Sequence, residues 1–370
     1  MKGSKRLVLD GIAAGRPVLG PRTVHVDVTN ACNAACITCW DHSPLLATAR
    51  TPAWKKRRWE LATFDALLED LDALGSVQAI ILSGMGDPLV HPDIYAIIGR
   101  VKQRGWHLTV MTNLIAAEID QLADAGVDQF LVGVHGATPR AYSAFHPGWD
   151  EREFNTLCSH LRRLGATPAK VRHVQVINRD TAPELVDMVR FGATFRAERV
   201  NFKLASLANG TEACRITDEQ RRWLADEAVP RARSLAAELS VATNLDLFVR
   251  QLAADDDDNE NATVPIDEVG CFMGYVYTRI TAELDVLYCC NTEVRVGSLA
   301  EARFAELWAG ETWQALRDRM RRGDYFAGCA RCGKFEQNVM WSERVKAELG
   351  EAMWRDATGA DRIHRLRVVG

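Results

Sequence analysis

Apolar positions over the first two hundred residues follow two periods that take turns. Val24, Val26 and Val28 alternate with His25 and Asp27, which predicts a strand over residues 23–29. Phe64, Leu67, Leu68, Leu71 and Leu74 then recur at three and four, the spacing of a helix that turns one face to a core. Thr63 is placed to cap that helix and Gly75 to stop it. The exchange repeats. Further strands are predicted at residues 77–82, 107–111, 129–134, 171–177 and 199–204. Helical faces between them are carried by Ile94, Ile97, Ile98 and Val101, by Ile119 and Leu122, and by Phe154, Leu157, Leu161 and Leu164, with a further helix near 184–190. Six strand–helix units before about residue 210 predict an α/β fold, a partial (β/α)6 TIM-like barrel. A six-unit barrel stays open at one side, so a large substrate can enter laterally.

Beyond the barrel, helical sequence runs over 218–240, followed by the charged run Asp255-Asp256-Asp257-Asp258-Asn259-Glu260-Asn261, a solvated linker. A hairpin is predicted from residues 275–280 and 286–288. The chain divides into an N-terminal extension 1–20, the barrel 21–215, a helical segment with the acidic linker 216–265, a small cysteine-rich β-hairpin/helix domain 266–340, and a helical tail 341–370. No internal repeat is visible.

Composition narrows the class. The 370 residues are 47% apolar, enough for a sizeable core, and the net charge of −4 argues against general nucleic-acid binding. No stretch reaches the length of a membrane span, and the first twenty residues lack the apolar run of a signal peptide. Most of the ten cysteines fall in tight groups, which reads as metal binding in a reducing cytoplasm. Cys158 lies beside a helical stripe and reads as a buried core thiol.

Cys32, Cys36 and Cys39 follow the first strand at C-x3-C-x2-C spacing. Thiolates are soft ligands, and three on one short loop can hold three corners of a four-iron cluster, leaving one iron open to a non-protein ligand. A closed zinc site is the alternative, with His42 close by in sequence. Cys271, Cys289, Cys329 and Cys332 form a second set, a hairpin with a cysteine at each end closed by a distant C-x2-C, and Cys290 could stand in for Cys289. A zinc ribbon is the alternative there. Trp54-Lys55-Lys56-Arg57-Arg58-Trp59 could grip a phosphate or nucleotide, or could be a solvated basic loop.

The triad spacing resembles the radical S-adenosylmethionine (radical SAM) superfamily, and the second set resembles its SPASM or twitch extension, the shorter twitch form fitting the cysteine count better. The resemblance implies one [4Fe-4S] cluster bound to SAM and one auxiliary [4Fe-4S] cluster. Ser83-Gly84-Met85-Gly86-Asp87-Pro88 looks like the family's Gly-Gly-Glu-Pro turn, whose backbone pairs with the SAM amino group; Asp87 is one methylene short of the usual Glu and Met85 replaces a glycine. Asn113, in Thr112-Asn113, resembles the family pair that borders SAM. His135 stands where a ribose-binding serine is common. Trp40 follows the third cysteine where the family often has an aromatic before it.

The implied reaction is reductive cleavage of SAM to a 5′-deoxyadenosyl radical. That radical abstracts hydrogen from a C–H of a small natural product, a sugar, aminocyclitol or similar, and dehydrogenation or epimerisation follows. Cys214, in the loop after the sixth strand, is the candidate hydrogen donor for epimerisation, or else an incidental loop thiol. A reductase such as flavodoxin or ferredoxin is the implied partner. The runner-up is modification of a ribosomal peptide, disfavoured because the cysteine loop begins at residue 32 and leaves no room ahead of it for a leader-binding domain. A zinc-bound scaffold without catalysis is the third reading.

Overall fold

The computed structural model describes residues 2–253 and 265–360, so the acidic run and the end of the tail lie outside the described residues. Ten strands follow in chain order: β1 Thr23–Asp27, β2 Ala79–Ser83, β3 His107–Thr112, β4 Gln129–Gly133, β5 Lys170–Ile177, β6 Arg199–Leu204, β7 Ala242–Thr243, β8 Tyr277–Ile280, β9 Asp285–Leu287 and β10 Arg295–Ser298. The chain forms two compact units. One comprises Met1–Val26, Trp59–Ile80 and Asp255–Gly370, the other Asp27–Arg58 and Ile81–Ala254.

In the second unit the strand order follows the sequence, and β3 to β7 pair in parallel, each with the next. Parallel neighbours need crossovers, which Ile119–Asp124, Glu151–Leu164 and Leu185–Thr194 supply. Helix Glu151–Leu164 shows how local sequence fixes an element. Asp150 and Glu153 form a capping box at its start, and Phe154, Leu157, Leu161 and Leu164 are buried. All six predicted strands are present, β6 at its predicted limits. Two-residue β7, missed in sequence, extends the array beyond β6.

In the first unit β1 runs parallel to β8, and β8, β9 and β10 form an antiparallel meander. Met273–Val276 is a helical turn, so the predicted hairpin strand begins later, at Tyr277. Helix Leu61–Leu74 starts two residues before the expected cap, which places Thr63 inside it; Gly75, at φ 63°, ends it as expected. Asp70 on that helix receives Arg303 through Nε and Nη2 (2.9 and 2.6 Å) and the Phe304 amide (2.8 Å), which fixes the turn opening helix Phe304–Ala309.

Candidate functional site

Residues 28–43 form the first cysteine loop, and its shape is set by backbone bonds. Ile37 N donates to Phe145 O (3.0 Å), Cys39 N to Cys36 O (3.0 Å), and Ser43 Oγ to Ile37 O (2.7 Å). Amides also donate to sulfur, Ala34 N to Cys32 Sγ (3.4 Å) and His42 N to Cys39 Sγ (3.3 Å). Such bonds favour a thiolate. Burial works the other way and wins: it pushes Cys32 up to about 12, Cys36 well above its ordinary value, and Cys39 up. Ionisation of Cys32 or Cys36 is further opposed by a neighbour in the triad. A buried thiol set that resists ionisation alone fits a ligand that brings its own positive charge.

The predicted cofactor turn is welded to this loop. Gly86 N donates to Thr29 O (3.3 Å) and Asp87 N to Ala31 O (2.9 Å). A Cβ on Gly86 would overlap the Ala31 carbonyl and stand 2.6 Å from Asn30 C, and one on Gly84 would overlap Thr29 O. Both glycines are therefore required by close approach of two backbones. Ser83 donates its hydroxyl to Asp27 (2.8 Å), and Met85 is half-buried beside them.

Asp87 is fully committed inside the protein. Its carboxylate accepts from Leu89 N (2.9 Å), from Thr112 Oγ1 at both oxygens (2.9 Å) and from Asn113 N (2.6 Å). Burial nevertheless pushes its carboxyl above the ordinary value. Asn113 donates its side-chain amide to Asn33 Oδ1 (2.8 Å), which ties the end of β3 to the cysteine loop, and accepts from Ile115 N (2.9 Å). Asn33 was not singled out in sequence, although its place between Cys32 and Cys36 is the signal that could have found it.

His135 adopts a left-handed φ of 55° and stacks on Phe145 at 4.3 Å, its Nδ1 accepting from Val176 N (3.2 Å). Burial, then His146, holds its ring well below the ordinary histidine range, so the ring stays neutral. Cys214 is buried against Ile37 and Phe145, with Cys36 also packed there, and its thiol faces Ile37 O at 3.9 Å. Cys158 is half-buried, more accessible than a core thiol.

The second cysteine group lies in the first unit. Cys271 sits just before the turn leading to β8, Cys289 and Cys290 just after β9, and Cys329 and Cys332 in the turn before helix Phe335–Leu349. Each of the five thiols is influenced by at least one other. Ionisation of one of Cys289, Cys290 and Cys332 holds the protons on its neighbours; Cys271 is pushed up to about 12 by burial. Cys290, held open in sequence as a substitute, has its sulfur 3.4 Å from where a Cβ on Gly333, the neighbour of Cys332, would stand.

Two supporting residues carry no sequence signal of their own. Buried Asn338 accepts from Phe272 N (2.8 Å) and donates to Cys332 Sγ (3.7 Å), joining two distant parts of the group. Lys334, two residues past Cys332, is held below its ordinary value chiefly by burial, while nearby Cys290 works the other way. Its ammonium lies 4.4 Å over the Tyr277 ring, and the Tyr277 hydroxyl meets His25 Nδ1 at 2.9 Å.

Comparison with known proteins matches both regions. Residues 26–191 match the Radical SAM superfamily model, and residues 271–333 match SPASM, described as an iron-sulfur cluster-binding domain. The AdoMet-dependent heme synthase of Methanosarcina barkeri is 24% identical over 314 residues, 80% of this chain and 85% of its own. The tungsten-containing aldehyde ferredoxin oxidoreductase cofactor-modifying protein of Pyrococcus furiosus is 22% identical over 177 residues, 45% and 47% of the two chains. In fold, the chain is similar to Streptococcus suis SuiB bound to precursor peptide SuiA, with a TM-score of 0.60, 14% identity, and coverage of 90% of this chain and 74% of that one.

Proposed function

We infer, from the premise that this chain is a radical SAM enzyme carrying a C-terminal SPASM domain, that it oxidises a small natural product, a sugar, aminocyclitol or similar, at an unactivated C–H, with dehydrogenation as the net change. Cys32, Cys36 and Cys39 would hold the SAM-binding [4Fe-4S] cluster. Four of Cys271, Cys289, Cys290, Cys329 and Cys332 would hold an auxiliary one. When bound, these groups supply a carbon-centred radical able to break such a bond and an electron acceptor. The backbone of Ser83-Gly84-Met85-Gly86 would orient SAM beside the cysteine loop. Asn113 and His135 would border it. Asp87 would position that border rather than touch the cofactor, since its carboxylate already has three donors.

The observation that carries dehydrogenation over epimerisation is the setting of Cys214. A hydrogen donor must reach substrate, and this thiol is packed against Ile37 and Phe145 and turned to the Ile37 carbonyl. The second group offers five cysteines, one more than a four-thiolate auxiliary cluster needs. Small-molecule chemistry is supported by the heme synthase, which aligns along most of this chain. Cys214→Ala is expected to retain product formation within about twofold, whereas Cys332→Ser is expected to abolish product yet leave SAM cleavage in place. Loss of product in Cys214→Ala with cleavage intact would restore epimerisation. Deuterium transfer into 5′-deoxyadenosine from labelled sugars, aminocyclitols or a peptide identifies the substrate class.

The ligand set has its own test. Cys290→Ser is expected to lower iron to about four per chain from about eight, while Cys289→Ser keeps both clusters, because the Cys290 sulfur lies beside Gly333, the neighbour of Cys332. Iron assay and electron paramagnetic resonance of the reduced protein decide it; the opposite pattern assigns Cys289 instead.

A further inference from the structure

We propose that Lys56, Arg57 and Arg58 form the docking surface for a small acidic one-electron carrier protein that reduces the first cysteine loop's cluster. The proposal rests on the radical SAM reading and adds a site to it. Four observations carry it.

The three side chains are exposed, and none has an ion-pair partner among the described residues. Asp41, the acid nearest in sequence to the third cysteine, is already taken by Arg50 Nε at 2.7 Å. The run is also rigidly mounted. Asn30 N and Thr29 Oγ1 both donate to Arg57 O (2.9 and 3.1 Å), Asn30 Nδ2 donates to Trp54 O (3.3 Å), and Thr29 bridges Arg58. The backbone of the run is therefore pinned to the residues that lead directly into Cys32.

Charge makes the run distinctive. The chain carries −4 overall, so an uncompensated positive row is a local field able to steer an oppositely charged partner. The cysteine loop also exposes Trp40. It is the chain neighbour of Cys39, is 57% exposed, and is held by its indole N–H on Ser206 O (2.7 Å). Leu45 in the same loop is 42% exposed. Tryptophan and arginine are enriched where proteins meet. A small anion is usually held in a concave site that buries most of it. Lys56, Arg57 and Arg58 are instead exposed, as a surface for a protein needs. In the step served, the carrier loses one electron and the cluster gains one; no bond is made or broken.

The test compares the reconstituted wild-type protein with K56E/R57E/R58E. SAM cleavage is driven either by reduced flavodoxin or by dithionite. Flavodoxin binding to the resting protein is measured separately by calorimetry at low and high salt. The carrier-driven rate and flavodoxin affinity are expected to fall about tenfold or more in the variant, while the dithionite-driven rate stays level. High salt should erase most of the wild-type advantage. Equal loss under both reductants, or no loss under either, overturns the proposal; a raised KM for substrate with unchanged flavodoxin affinity reassigns the run to substrate. Should wild type cleave no SAM with either reductant, the radical SAM reading fails, and the binding arm still decides docking. If charge reversal lowers iron content, K56Q/R57Q/R58Q carries the comparison.

Discussion

Gly86→Ala is expected to cost the protein its first cluster and spare the second. The new methyl group would overlap the Ala31 carbonyl and crowd Asn30 C at 2.6 Å. Neither obstacle is the tip of a flexible side chain, so one backbone must move. The two bonds joining the turn to the loop, Gly86 N to Thr29 O and Asp87 N to Ala31 O, leave no slack for that movement. Displacing Ala31 displaces Cys32, and a cluster with three protein ligands tolerates the loss of one poorly. Iron after anaerobic reconstitution is expected to fall from about eight to about four per chain, with SAM binding by equilibrium dialysis lost and helix content by circular dichroism near wild type. Gly99→Ala is the control, since a Cβ there meets nothing within 4 Å. Full iron and SAM binding in Gly86→Ala would mean that the backbones need not approach this closely.

Much of this arrangement is visible in sequence because it rests on local periods. β6 was predicted at its observed limits, and the stripe Phe154, Leu157, Leu161 and Leu164 is buried as the helical spacing requires. Elements without a readable period were missed. β7 has two residues, too few to alternate, and β10 is interrupted by Gly297. Helix Lys2–Ala14 clusters Leu7, Val8 and Leu9 instead of spacing them, although Val8, Leu9 and Ile12 are buried. The cysteines were legible because thiol spacing is local chemistry. Their supports were not. Asn338 meets Phe272 across 66 positions of sequence, and no local pattern announces such a pair. Cys290 raises a different problem: adjacent residues cannot be ranked as ligands until the fold shows which sulfur lies toward the turn of Cys332 and Gly333. Asp87 was legible by position but not by role, because an acid after a glycine turn reads as a cofactor contact until its donors are seen.

That role makes Asp87→Ala the other large effect. The truncation strands Leu89 N, Thr112 Oγ1 and Asn113 N, all on or beside buried backbone, and orphaned buried donors cost about 1–3 kcal/mol each before relaxation. A loss of about 3–5 kcal/mol in denaturant unfolding is expected, the range seen when one partner of a buried charged network is removed. SAM affinity should fall as well, since Asp87 holds Asn113 and Asn113 holds Asn33 of the cysteine loop. Asp87→Asn should be milder, because it keeps an acceptor. The pH dependence follows from burial, which raises the folded-state pKa above the unfolded value. Relative to the unfolded chain, the folded protein then prefers the protonated carboxyl. Its contribution is complete below about pH 4, the unfolded value, and declines as pH rises through the folded pKa. Wild type should therefore gain stability relative to Asp87→Asn as pH falls from about 7 toward 4. A stability gap that instead widens in favour of wild type as pH rises would show that the three hydrogen bonds outweigh burial, with the ionised carboxylate as the preferred form.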